Sequence, residues 1–209
     1  MVVHILHKIL DSEFTDYIKL GWDHIIDIKA YDHLLFVMTL CALFSINEWK
    51  KVVVIITAFT IGHSMTLALS TLNYILLPQE WIEVLIPLTI LVTALTNIST
   101  QQNHLNGKPT FEKSIAVNYI IALFFGLIHG LGFANNFRFM LGEDNSIMKQ
   151  LFAFNSGLEL GQMTVVIFFF LLLYLVSKVF NILHREWTIF FSGAGAGLSV
   201  MMIIEALLK

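Results

Sequence analysis

Asp32 and His33 stand side by side where a long uncharged run, Leu34 to Phe44, begins. A carboxylate and an imidazole at the mouth of an apolar helix are costly to place, and such residues commonly mark a functional site. His63, His129, Asn155 and Glu159 also fall inside apolar runs. Imidazole suits zinc, nickel, copper and iron, and carboxylates add the negative charge that holds a divalent ion. Asp32, His33, His63, His129 and Glu159 are therefore expected to form a divalent-metal site. Asp32 serves there either as a ligand or as the partner that orients a histidine. His24, Asn155 and Gln162 are expected to support it. Asn155, Glu159 and Gln162 are spaced i, i+4, i+7 and share one helix face. Thr89, Thr93 and Thr96 form a stripe of their own, and Asn118 shares a stripe with His129.

The elements that must position these groups are membrane helices. The chain has 209 residues, 57% of them hydrophobic and only 13% charged, with a mean hydropathy of +0.78. An ordinary soluble domain carries about 25% charged residues, so this composition excludes that class. The net charge of -3 includes no basic block that would hold a nucleic acid. Cys41 is the single cysteine, so neither an internal disulfide nor a cysteine-pair metal motif is available. No Gly-rich phosphate loop followed by Lys and Ser or Thr is present.

The expected fold is all-α, a polytopic bundle of about six transmembrane helices preceded by an amphipathic segment. Residues 1–30 read as that segment, lying at the membrane interface with a break near Gly21-Trp22. Residues 31–209 read as the transmembrane domain, with crossings near 31–47, 51–76, 81–98, 114–135, 151–177 and 187–208. The odd connectors hold Lys50, Lys51, Lys108, Lys113, Lys178 and Arg185, whereas the even ones hold Arg138 and Lys149. The positive-inside rule then puts both termini outside the cytoplasm. This topology sorts the intramembrane polar groups. Asp32, His33, Glu83, His129, Asn155, Glu159 and Glu205 all fall in the half of the membrane on the side of the N-terminus, with His63 near the midplane.

At these residues the sequence resembles the HupE/UreJ family of integral membrane proteins. The resemblance runs through Gly21-Trp22-Asp23-His24-Ile25 and Asp32-His33-Leu34-Leu35-Phe36. It continues in Phe59-Thr60-Ile61-Gly62-His63-Ser64-Met65-Thr66-Leu67 and in the stretch from Phe125 to Ala134 around His129. It ends in Phe154-Asn155-Ser156-Gly157-Leu158-Glu159-Leu160-Gly161-Gln162. It implies a bundle of six to seven helices in a bacterial inner membrane and a link to nickel or cobalt handling. It carries Asp32, His33, His63, His129 and Glu159 as the functional set. Nickel/cobalt permeases have a histidine five residues before the Asp-His pair; here that position is Asp27, and the preceding histidine is His24.

Three functions fit these features. The first is a permease for a divalent transition metal, with nickel, cobalt or zinc as the ion. The second is an intramembrane metal-dependent hydrolase or transferase acting at the extracytoplasmic face, with Glu159 or Asp32 as base. The third is a noncatalytic membrane subunit whose polar cluster locks the bundle or docks a partner. Membrane lipid and the metal ion are the expected partners, with a homo-oligomer or a larger membrane complex as the expected assembly.

Overall fold

The chain enters its bundle through a broken helix. The computed structural model describes residues 2–28, 31–105, 115–141 and 147–208, and among them it contains seven α-helices and no strand. The connectors around Gly107 and Pro109 and around Gly142 to Asn145 lie outside the described residues. Helix α1 spans Val2–Ile26 and α2 spans Asp32–Cys41. A single 3-10 turn at Ile46–Glu48 leads into α3, Trp49–Thr71. Then follow α4, Gln79–Leu105, α5, Ile115–Leu141, α6, Ile147–Phe180, and α7, His184–Leu207.

Among the described residues five segments are long and apolar enough to cross a membrane: Ile46–Thr71, Gln79–Gln102, Val117–Met140, Ile147–Phe180 and His184–Leu207. The protein is an integral membrane protein built on them. Large apolar side chains such as Ile167, Phe168 and Phe190 point outward from these helices, the arrangement that lipid favours and water penalises. The expected first crossing at 31–47 is different. Only ten residues of it form α2, a helix about 15 Å long against the roughly 30 Å of a bilayer core.

Helix α1 packs against α6 beside it. It continues through Gly21-Trp22 without the expected break, because Gly21 is where it touches α6. A Cβ at Gly21 would meet the Phe154 carbonyl oxygen, and one at Gly157 would meet the Ile18 carbonyl oxygen. Gln150 donates to Glu13 at 2.6 Å, so α1 and α6 run side by side in the same direction. Tyr17 donates to the Met140 carbonyl near the end of α5, whereas His24 reaches the level of His63 in the middle of α3. The C-terminal third of α1 thus packs into the bundle beside α6, and α2 begins at Asp32. Its far end is held where Thr188 of α7 donates to the Ala42 carbonyl at 2.7 Å and the His184 ring meets the Phe44 carbonyl at 3.0 Å.

Helices α3 and α5 pack along their length through glycines. A Cβ at Gly62 would meet the Leu123 carbonyl oxygen, one at Gly126 the Phe59 carbonyl oxygen, and one at Gly130 the His63 carbonyl oxygen. Small residues permit this backbone approach between membrane helices. The 3-10 turn that leads into α3 begins at a capping box, in which Ser45 N and Oγ both donate to Glu48 Oε2 at 3.1 Å, and α3 follows it. It stops at Asn73 in the left-handed conformation, as α6 stops at Asn181. Gly193 and Gly197 on α7 face open space. Replacing Gly126 with valine is therefore expected to destabilise the bundle by about 2 kcal/mol or more through overpacking, while Gly197→Ala leaves it unchanged. Thermal unfolding of both variants in detergent, followed by circular dichroism, checks this contrast.

Candidate metal centre

The break between α1 and α2 is where the histidines meet. His24 comes from the last turn of α1 and His33 from the first turn of α2. His63 comes from α3, and His129 from α5. His33 is the hub: its ring centroid lies 4.5 Å from His24, 4.9 Å from His129 and 5.8 Å from His63. His24, His33 and His63 each offer a ligand atom, all within 4.8 Å of one another. Nitrogens on one transition-metal ion sit about 2.0–2.1 Å from it, hence no more than about 4 Å apart. His63 and His129 are fully buried, and His33 is 3% exposed.

Two hydrogen bonds fix which nitrogen of a ring is available. Asp32 Oδ1 faces His33 Nδ1 at 3.2 Å and also accepts the His33 backbone N–H at 2.9 Å. An ionised carboxylate only accepts, so His33 Nδ1 carries the proton and Nε2 keeps its lone pair. Thr89 Oγ1 lies 2.7 Å from the Ile86 carbonyl oxygen, which can only accept, and 2.9 Å from His129 Nε2. The single hydroxyl hydrogen of Thr89 goes to Ile86. His129 Nε2–H therefore donates to Thr89, and Nδ1 keeps its lone pair. The two freed nitrogens, His33 Nε2 and His129 Nδ1, are both buried without a hydrogen-bond partner, as are His24 Nε2 and both nitrogens of His63. Leaving a buried polar atom unmatched costs about 1–3 kcal/mol. A neutral ring has one lone pair to give, and the converging rings of His24, His33 and His63 fit a divalent cation held by imidazoles.

Aromatic rings wall the cluster. The Phe133 ring lies 4.2 Å from His24, and those of Phe36 and Phe59 lie 5.0 Å and 5.1 Å from His129. A low-dielectric wall of this kind strengthens an interaction between a cation and its ligands. On the side of α1 the cluster borders a cavity of about 450 Å³. Four acidic residues line it along with His24 and His33: Asp27 and Asp32 at the helix break, Glu83 on α4 and Glu205 on α7. Pro87, inside α4, also lines it. Proline has no N–H to give the Glu83 carbonyl one turn earlier, so a backbone acceptor is released beside the cavity.

The expected site residues thus separate into groups. Asp32, His33, His63 and His129 come together. His24, expected only as support, is one of the three converging imidazoles. Asn155, also expected as support, donates from Nδ2 to the Leu151 carbonyl at 2.8 Å, and its side chain faces His63. Glu159 is placed elsewhere, accepting from Thr57 Oγ1 at 2.8 Å, and Gln162 accepts from Thr60 Oγ1 at 2.8 Å. The two latter residues tie α6 to α3. They share a helix face with Asn155, but α6 turns that face along the seam with α3. Thr89 was visible in sequence only as the first member of a threonine stripe, and its bond to His129 depends on how α4 meets α5. Glu83 and Glu205, near the ends of their helices, join the cavity only because α4 and α7 pack together.

Fold and site together define an integral membrane helix bundle with a buried imidazole cluster. A family model described as HupE / UreJ protein matches residues 3–206. The chain belongs to the HupE/UreJ family. Comparison with curated proteins and with solved structures gives no match.

The Thr89–His129 bond makes a prediction about stability. Thr89→Val leaves His129 Nε2–H buried and unpaired and is expected to cost about 1–3 kcal/mol. Thr89→Ser keeps the acceptor and recovers most of that loss. Denaturation of the two purified variants side by side measures the difference.

Proposed function

We propose that the protein binds one divalent transition-metal ion in the His24–His33–His63–His129 cluster and moves it across the membrane. Nickel and cobalt are the leading ions, following the family. The observation that carries this reading is the convergence of unpartnered imidazole nitrogens at mid-depth. A discontinuous helix at that depth supports it, because broken helices are where membrane transporters place their substrate sites. Soft thiolates are absent, since Cys41 is buried in the α2 region away from the cluster, so the donor set is one of imidazoles and carboxylates that suits borderline divalent ions.

Each part of the site has a task. The carboxylates lining the cavity raise the local concentration of a cation at the side of α1. Asp32 orients His33 and makes its ring a better donor, in the way carboxylates support ligating histidines. Thr89 does the same for His129 in a neutral form. The imidazoles replace water around the ion, and the aromatic wall keeps bulk water out. The side on which α1 lies is the extracytoplasmic side by the distribution of Lys and Arg. The ion is cargo, and no covalent step is required.

The test is metal stoichiometry together with uptake. Purified protein is expected to hold one nickel or cobalt ion, with His33→Ala or His63→Ala abolishing binding. Asp32→Asn is expected to weaken it by about 10–100-fold. Glu159→Gln leaves binding intact, because Glu159 is bonded to Thr57. Proteoliposomes are expected to take up radiolabelled nickel in a manner lost with His33→Ala. A protein that holds no metal sinks the reading. One that holds metal and never transports it points instead to an enzyme at the same site.

A further inference from the structure

Two rings of the cluster have their orienting partners. Asp32 takes the N–H of His33, and Thr89 takes that of His129. His63 is fully buried, and neither of its nitrogens meets a hydrogen-bond partner of standard geometry. A neutral imidazole carries one N–H. That hydrogen needs an acceptor if the ring is to be held with its other nitrogen turned to an ion.

Helix α6 meets His63 at one level. The Phe154 ring stacks on the His63 ring, with centroids 6.4 Å apart and planes 25° from parallel, and the Asn155 side chain faces the same ring. Two bonds hold α6 to α3 beyond this point. Thr60 Oγ1 donates to Gln162 Oε1 and Thr57 Oγ1 to Glu159 Oε1, both at 2.8 Å. Asn155, Glu159 and Gln162 share one face of α6. The bonds that set the rotation of α6 for the last two therefore also turn Asn155 toward α3.

The carboxamide of Asn155 is oriented from behind. Its Nδ2 donates to the Leu151 carbonyl at 2.8 Å, and a carbonyl oxygen only accepts. This bond settles which arm of the amide is nitrogen and leaves Oδ1 on the other. Oδ1 is buried, and among the described residues no other donor reaches it. An acceptor with a lone pair to give thus stands beside an imidazole with an N–H to place.

We infer that Asn155 is the positioning residue of His63. Its Oδ1 accepts the ring N–H of His63 and leaves the opposite nitrogen for the metal ion, as Asp32 does for His33 and Thr89 for His129. The inference rests on the metal-binding part of the reading above and not on transport. It also gives a reason for an amide at this position. An asparagine accepts without adding negative charge, so it orients the ring without tightening the hold on a cation as a carboxylate would.

The test uses the full chain purified in detergent, with nickel as the probe. Asn155→Leu keeps the side-chain volume and removes both arms of the amide, and its nickel affinity is expected to fall about 10–100-fold. Asn155→Asp keeps the acceptor and loses the donor to Leu151. It is expected to bind nickel at least as tightly as the wild type. A structural role exerted through the Leu151 bond gives the same loss in both variants, and that result overturns the inference. Wild-type affinity in Asn155→Leu overturns it too and leaves the metal reading standing. A wild-type protein that binds no nickel overturns the metal reading and this role with it. A second measurement needs neither metal nor Asn155→Leu. In protein carrying isotope-labelled histidine, the His63 ring proton is assigned by its loss in His63→Ala. It is expected to resonate downfield in the wild type and further downfield in Asn155→Asp, whose ionised acceptor makes the stronger bond. A ring proton that does not move between the two overturns the inference.

Discussion

The structure depends on how imidazole rings are aimed in an apolar interior. A neutral histidine has one nitrogen that donates and one that accepts, and a buried ring must have both accounted for. The Asp32 carboxylate settles the question for His33 and the Thr89 hydroxyl settles it for His129. Each partner takes the N–H and leaves the other ring nitrogen with its lone pair. The two devices differ in charge. Asp32 sits in the first turn of α2, where the positive end of the helix dipole favours a carboxylate. Thr89 needs no charge, because the Ile86 carbonyl already holds its hydrogen.

Helix packing brings those rings within reach of one another. Glycines on α3 and α5 let two backbones approach closely on either side of His63 and His129, and glycines on α6 do the same for α1 next to His24. The break between α1 and α2 gives His24 and His33 to the cluster from two directions. A continuous first helix would place nine residues, about 13 Å, between them along one axis.

Carboxylates from α2, α4 and α7 line the large cavity on the side of α1, whereas the smaller cavity on the far side is lined mostly by apolar side chains.

Much of the fold was legible in the residues themselves, because long uncharged runs cannot be anything but membrane helices in a chain this poor in charge. Asp32, His33, His63 and His129 stood out for the same reason: each is expensive in an apolar helix unless it has a use. Other features were decided only by tertiary structure. Residues 32–41 look like part of a full crossing, and their short length matters only once α1 is seen to pack beside α6. Glu159 looked equal to His63, since sequence reports that a carboxylate lies in a span but not which way its helix is rotated. A turn of α6 directs it to Thr57. His24 looked peripheral because distance along the chain says nothing about distance across a break. Sequence by itself determines which residues are costly to bury. Rotation and approach of the helices, fixed by glycine contacts far apart in the chain, determine which of them meet.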